Sequence, residues 1–238
     1  MFPRIFHTVN SALYFQLDES VLFIDALHAG RDFHMSDTPH AVLEETEKPH
    51  GAFSFDTALL FTHLHADHYD KELTGRFLAR HPGTRLLSPE ERRNWEGRTP
   101  EEGVFRFEHG PFTVHAFATT HQGGQIMQIP HFCYLIEAGA VSYLVCGDAR
   151  LSEETVEKIK RYTRGLEAVF LNVYHLNTEK EQRLIRLLAP KRCIIIHLPL
   201  PGEDTKGYRA MAREAVESIQ GVGRLEMPSP MSRLTSVR

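Results

Sequence analysis

The sequence predicts an α/β protein of two β-sheets with helices packed outside them. Strand-like apolar segments crowd the chain before Gly147, whereas beyond it helical periodicity alternates with short strands. Those later strands, such as Cys193-Ile194-Ile195-Ile196, are apolar at every position and need cover on both faces.

Residues 4–9, 13–17 and 21–25 read as a meander, with turn chemistry at Asn10-Ser11 and Asp18-Glu19-Ser20. From 26 to 56 the pattern dissolves into Gly, Pro, His and acidic residues, with at most a short helix over 42–47 between Pro39 and Pro49. This stretch reads as an insertion or lid over a cleft, with Phe33, Met35 and Phe53 as apolar walls and His28, His34, His40 and His50 as polar contacts. Residues 57–61 form an apolar strand that runs into Thr62-His63-Leu64-His65-Ala66-Asp67-His68, and 69–80 then has helical spacing ended by His81-Pro82-Gly83. The histidine cluster therefore lies on a strand-to-helix turn. Residues 84–87 read as a strand, and Ser88-Pro89-Glu90-Glu91 opens a short helix ending near Gly97. Two hairpins follow, 104–107 with 112–119 and 132–136 with 141–145. Helices are expected over 152–164, 178–188 and 205–219, and strands over 168–171 and 193–196. The segment 227–238, rich in Pro, Ser and Arg, reads as a flexible tail. The whole, 1–238, reads as one domain, without repeat or linker.

Composition narrows the function. A chain of 238 residues with 42% apolar and 24% charged residues is an ordinary soluble globule, long enough for a sizeable core. Lys plus Arg number 27 against 31 Asp plus Glu, a net charge of -4, which argues against a nucleic-acid partner unless a local basic patch exists. The candidate patch is Lys158, Lys160, Arg161 and Arg164 on one helix, which reads equally as a solvated face. No apolar run is long enough to span a bilayer, and His7, Thr8, Asn10 and Ser11 interrupt any leader-like stretch near the start. Cys133, Cys146 and Cys193 lie in apolar runs and read as reduced core thiols of a cytoplasmic protein. Histidine stands out: the chain has 15, an excess that points to metal.

His63, His65, Asp67 and His68 fall within six residues. Around a sharp turn, His63 and His65 point at one centre and Asp67 and His68 at another, so one loop can begin two metal sites. Imidazole and carboxylate suit Zn²⁺, Mn²⁺ or Fe²⁺, and each ion needs further ligands from elsewhere. Three polar residues that terminate apolar strands are candidates: His121, Asp148 and His197.

On these residues the chain resembles the metallo-β-lactamase-fold hydrolases over essentially its whole length. The signature H-x-H-x-D-H is His63 to His68, the third histidine of the pattern matches His121, its Gly-Asp carboxylate matches Gly147-Asp148, and its last histidine matches His197. Asp25 also falls on a motif of that family, as a carboxylate supporting the site or capping a turn. The resemblance implies a four-layer αββα sandwich of two mixed sheets with a dinuclear site at one sheet edge. It implies that His63, His65 and His121 hold one ion, that Asp67, His68 and His197 hold the other, and that Asp148 bridges. Two divalent cations are implied, Zn²⁺ first, with Mn²⁺ or Fe²⁺ as alternatives.

Paired cations lower the pKa of a shared water toward neutrality and polarise a carbonyl or phosphoryl oxygen, so the expected activity is hydrolysis through a metal-bridging hydroxide. Asp67 and Asp148 are the candidate catalytic residues, Asp67 by orienting the water or accepting its proton. Departures from subfamilies narrow the substrate. Asp148 stands where the commonest zinc β-lactamases carry cysteine, and His65 stands where flavo-diiron oxidoreductases carry glutamate. The segment after His197 is too short for the helical domain of glyoxalase II, and the segment between Asp148 and His197 has no room for the basic arm of the tRNA-processing nucleases. The pattern is similar to the small single-domain hydrolases of the ascorbate-6-phosphate lactonase type. A small ester, lactone or phosphodiester is the expected substrate, with action on RNA or DNA, or metal binding without hydrolysis, as alternatives. His175, just beyond an expected strand end, is a candidate substrate contact, and Arg150 either meets an anionic substrate or caps the helix that follows it. Homo-oligomerisation stays open, and no membrane partner is expected.

Overall fold

The computed structural model describes residues 2–30, 33–48, 55–90, 103–123 and 129–234. Two mixed sheets stack face to face. The first contains β1 (Arg4–His7), β2 (Leu13–Leu17), β3 (Ser20–Ile24), β4 (Asp56–Leu60), β5 (Arg85–Leu87) and β14 (Ser232–Leu234), in the order β14-β1-β2-β3-β4-β5. Its pairs are antiparallel except β3–β4 and β4–β5. The second contains β7 (Phe112–His121), β8 (Pro130–Ala138), β9 (Val141–Val145), β10 (Ala149–Arg150), β11 (Leu166–Leu171), β12 (Arg192–Ile195) and β13 (Arg224–Glu226), in the order β10-β7-β8-β9-β11-β12-β13, and β6 (Val104–His109) pairs with β7. From β9 to β13 this sheet is parallel, and the connections are the helices α3 (Glu153–Tyr162), α4 (Glu179–Leu188) and α5 (Tyr208–Ser218). Helices α1 (His40–Glu47) and α2 (Lys71–Arg80) belong to the side of the first sheet.

The strand pattern explains the layering. Side chains alternate across a strand, and in β3 Leu22 and Ile24 join the core between the sheets while Val21 and Phe23 pack in the cluster that includes Phe77 of α2. In β11, Ala168 and Phe170 face the central core, and Val169 and Leu171 pack with Val156, Ile159 and Ile185 of α3 and α4. Both sheets are therefore buried on both faces, and the outcome is the expected αββα sandwich.

Where the structure departs from the sequence expectations, long-range contacts are the cause. The helix after the histidine loop begins at Lys71 rather than Tyr69, because the Asp70 N–H donates to Leu27 O at 2.8 Å and the Asp70 carboxylate caps the helix through Leu73 N at 2.7 Å. The flexible tail expected over 227–238 gives way at Ser232–Leu234, which pairs with His7, Phe6 and Ile5 as an edge strand. The insertion is only partly lid-like. Residues 26–30 and 33–38 are knitted into the fold, with Leu27, His28, Met35, Ser36 and Thr38 all buried. Helix α1 then lies against α2, with His81 Nε2 donating to Thr46 O at 2.9 Å. His50, Phe53 and most of the short helix expected from Ser88 to Gly97 lie outside the described residues.

Candidate metal centre

Strand ends deliver the site. Asp25 follows β3, Thr62 and His63 follow β4, His121 ends β7, Asp148 follows β9, and His197 follows β12. Asp25 and His197 have φ of +50° and +62°, left-handed values that cost non-glycine residues energy and turn each side chain at the sheet edge. Gly147, at φ +54°, must be glycine, since a Cβ there would stand 2.7 Å from Thr62 Oγ1. Two inter-sheet hydrogen bonds close the sandwich here: Phe132 N donates to Thr62 O at 2.8 Å and Tyr134 OH to Phe61 O at 2.7 Å.

All seven residues singled out as ligands converge. The donor atoms of His63, His65 and His121 form one group, and those of Asp67, His68, Asp148 and His197 a second, each with its atoms within 4.8 Å of one another. Asp148 Oδ2 sits between the groups, 3.5 Å from Nε2 of both His68 and His121, 3.6 Å from His197 Nε2 and 3.9 Å from His63 Nε2. Asp67 Oδ2 is 3.1 Å from His197 Nε2 and 3.8 Å from His68 Nε2.

The outer contacts orient the rings. Asp25 Oδ2 takes His68 Nδ1 at 2.9 Å, while its Oδ1 accepts from Thr62 N and Oδ2 from Thr62 Oγ1, both at 2.7 Å. Asp25 therefore acts through His68, as a carboxylate supporting the site. His121 Nδ1 donates to Gln122 O. With Nδ1 so engaged in both rings, the Nε2 atoms of His68 and His121 are directed inward, where a cation would take the place of their proton. These two nitrogens and Asp67 Oδ1 are buried without a hydrogen-bond partner. Buried polar atoms are rarely left so, and three electron-pair donors converging on a carboxylate suit a cation. The residues fit a pair of divalent ions.

Electrostatics agree. Burial alone would raise the Asp148 carboxyl pKa, yet His197 and His68 outweigh it and hold it well below the ordinary carboxylate range. Asp67 is likewise opposed by burial but drawn down to about 2, chiefly by His68 and His197. For His68 burial lowers the pKa, but Asp25, Asp67 and Asp148 push it well above the ordinary value. His63, buried among other imidazoles, is held well below it, first by desolvation and then by His68 and His131.

Three contributors escaped sequence reasoning. Asn172 Nδ2 donates to Asp148 Oδ1 at 2.7 Å and to Gln122 Oε1 at 3.1 Å. His131 Nε2 accepts from Asp148 N at 3.1 Å, and its other nitrogen faces Thr119 Oγ1 at 2.9 Å. Thr62 holds Asp25 as described. Asn172 carried a readable signal, a polar residue ending an apolar strand; His131 carried none, since it reaches Asp148 only through strand pairing.

His175 is buried and its Nε2 contacts Ala149 O at 2.8 Å, which ties it to the strand behind Asp148. Arg150 does not cap α3, whose N-cap is the Ser152 side chain bonded to Thr155 N; it lines a cavity of about 820 Å³ with Phe117, Ser152 and Leu184. On α3, Lys158 pairs with Glu154 at 2.8 Å and Lys160 with Glu157 at 3.0 Å. Among the described residues no helix is long and apolar enough to cross a membrane.

Aromatic side chains stand around the mouth. Phe33, from the insertion, stacks on His65 with ring centroids 6.0 Å apart and is 43% exposed. Tyr174 and Tyr208 meet edge to face at 6.1 Å, and Tyr208 senses the charges of Asp67 and Asp148. The two sides are joined where His34 Nδ1 faces Thr205 Oγ1 at 3.2 Å and Leu200 N donates to Ser36 Oγ at 2.8 Å.

No protein-family profile and no curated protein sequence matches the chain. Solved structures do. It is similar to the metallo-β-lactamase fold protein YhfI from Bacillus subtilis, at 13% identity with a TM-score of 0.65 over 98% of this chain and 99% of that one. It is similar to the isothiocyanate hydrolase from Delia radicum gut bacteria, at 14% identity with a TM-score of 0.59 over 98% of both chains. It is also similar to CmlA, a diiron β-hydroxylase from Streptomyces venezuelae, at 13% identity with a TM-score of 0.56 over 98% of this chain and 54% of that one. Identities this low carry the architecture and nothing finer, and they agree with the paired mixed sheets and the outer helices: this chain adopts the metallo-β-lactamase fold.

Proposed function

We propose that the chain is a metal-dependent hydrolase holding two divalent cations. His63, His65 and His121 hold one, Asp67, His68 and His197 the other, and Asp148 is shared. The observation that carries this reading is the position of Asp148 Oδ2, within 3.5 to 3.9 Å of imidazole nitrogens from both donor groups. Bound there, paired cations would make water acidic enough to attack near neutral pH and would take up charge developing on a carbonyl or phosphoryl oxygen. The chain's own part is orientation. Asn172 fixes one Asp148 oxygen and so presents the other, Asp25 and Gln122 set two ring tautomers, and Asp67 offers a carboxylate for a proton from water. Imidazole-rich donors with few carboxylates favour Zn²⁺, with Mn²⁺ and Fe²⁺ as competitors.

The aromatic rim supports a small ester or lactone over a polyanion. Phe33 and Tyr174 offer exposed ring faces to an apolar substrate portion, and burial, aided by Tyr174, raises the Tyr208 pKa, so its hydroxyl stays a neutral donor. The pairing of Lys158 and Lys160 with acidic neighbours supports the same choice over RNA or DNA. A panel of chromogenic lactones, esters, thioesters and phosphodiesters, run on wild type and Asp148→Asn, tests the reading. Hydrolysis that falls by roughly 10³-fold in the variant while the fold survives is expected, because a carboxylate shared by both ions cannot be replaced by an amide. Near-normal turnover by Asp148→Asn contradicts it.

A further inference from the structure

His28 is fully buried and belongs to neither donor group. Its segment is laced to the histidine loop: Ala29 N donates to Ala66 O at 2.9 Å and Asp70 N to Leu27 O at 2.8 Å, so His28 lies across from Asp67 and His68. Its backbone is gripped by Thr38, whose Oγ1 accepts from His28 N at 2.8 Å and whose N–H donates to His28 O at 3.0 Å.

The tautomer follows from Asn10. Ser36 fixes the Asn10 amide, giving its N–H to Oδ1 at 3.1 Å and taking Nδ2–H on its carbonyl at 2.7 Å. The second Nδ2 hydrogen faces His28 Nδ1 at 3.4 Å, so Nδ1 is the acceptor and the ring proton resides on Nε2. A ring that accepts at Nδ1 and carries its one proton on Nε2 is neutral. Its Nε2–H is buried with no partner. On the facing segment, Asp67 Oδ2 is engaged with His197, but Oδ1 is also buried with no partner. A lone donor and a lone acceptor thus lie on two segments joined by backbone hydrogen bonds.

We infer that His28 is the positioning residue for Asp67, its Nε2–H serving Asp67 Oδ1 when Oδ2 turns to the cation held with His68 and His197. This rests on the proposed reading of Asp67 as a ligand. A carboxylate so tethered presents one oxygen to the metal and keeps the other from competing for it. The arrangement also ties the insertion, through Thr38 and Ser36, to occupancy of that one site.

Chelator-competition titrations of Zn²⁺ on the full chain test this, with thermal melts of the metal-free protein alongside. His28→Leu is expected to weaken one of the two ions about 10- to 100-fold and leave the other within about twofold, without lowering the metal-free melting temperature. His28→Gln, which keeps an N–H near the Nε2 position, recovers most of the loss. In an Asp67→Ala background, where the acceptor is gone, His28→Leu has no further effect. Equal weakening of both ions with a lower metal-free melt marks His28 as structural and overturns the inference, as does unchanged affinity with a raised KM, which marks a substrate contact. A wild-type chain that binds one ion only overturns the two-cation reading itself, and the inference falls with it.

Discussion

Asn172 Nδ2 donates to Asp148 Oδ1 at 2.7 Å, and that bond decides which Asp148 oxygen faces the histidines. Oδ2 is left for the four imidazole nitrogens that surround it. The peptide N–H of Asp148, donating to His131 Nε2, fixes the same residue from behind. A shared carboxylate works only if it cannot rotate, because a turn of its plane would favour one ion over the other.

Asn172→Ala therefore keeps the fold and most of the bound metal but lowers kcat about 10- to 100-fold, the usual cost of losing an outer partner of a ligand. Kinetics on any substrate the wild type hydrolyses, with metal content measured on the same sample, check this. Wild-type kcat in Asn172→Ala would mean that Asp148 is held without it.

Phe33 covers His65 while remaining 43% exposed, so it is placed to touch what enters the site. Phe33→Ala is expected to raise KM about 5- to 10-fold with kcat within twofold, the size of one lost partial ring contact. An unchanged KM across apolar and polar esters would remove Phe33 from the substrate surface.

Arg192 donates to Glu226 from Nε at 2.8 Å and Nη2 at 2.6 Å, pinning β13 to β12. That hydrogen bonding, against some desolvation, holds the Glu226 carboxyl below its ordinary value. A carboxylate whose pKa is depressed by folding contributes stability that is present above its unfolded pKa, about 4.3, and is lost as pH falls through the lower folded value. Glu226→Gln should lower the melting temperature at pH 7, and the gap from wild type should begin to narrow below about pH 4.3 and close only once the pH is below the depressed folded value, where both side chains are neutral. A gap that does not narrow at all as the pH is lowered through this range would assign the effect to packing instead.

The histidine loop was legible because its four donors are close in sequence, and His121, Asp148 and His197 because a polar residue after an apolar run announces a strand end. Both faces of β3 and β11 were legible from their unbroken apolar runs. What stayed hidden depends on contacts between distant segments. His131 matters only because β8 lies beside β7, which puts Thr119 and His131 opposite one another. Residues 26–30 and 33–38 show neither helix nor strand periodicity in sequence and so resemble an open lid, yet Asn10 and Thr38 supply the side-chain hydrogen bonds that a coil would otherwise lack. Ser232–Leu234 has a loop-like composition and becomes a strand because β1 presents an open edge to it.

The central claim is that two donor groups share Asp148 and hold two cations. Elemental analysis of the protein after removal of metal, reconstitution with Zn²⁺, Mn²⁺ or Fe²⁺ and gel filtration tests it most directly. The account predicts two ions per chain for wild type with at least one of these metals, and one or fewer for Asp148→Asn. A reproducible stoichiometry of one or none in the wild type with all three metals would contradict it.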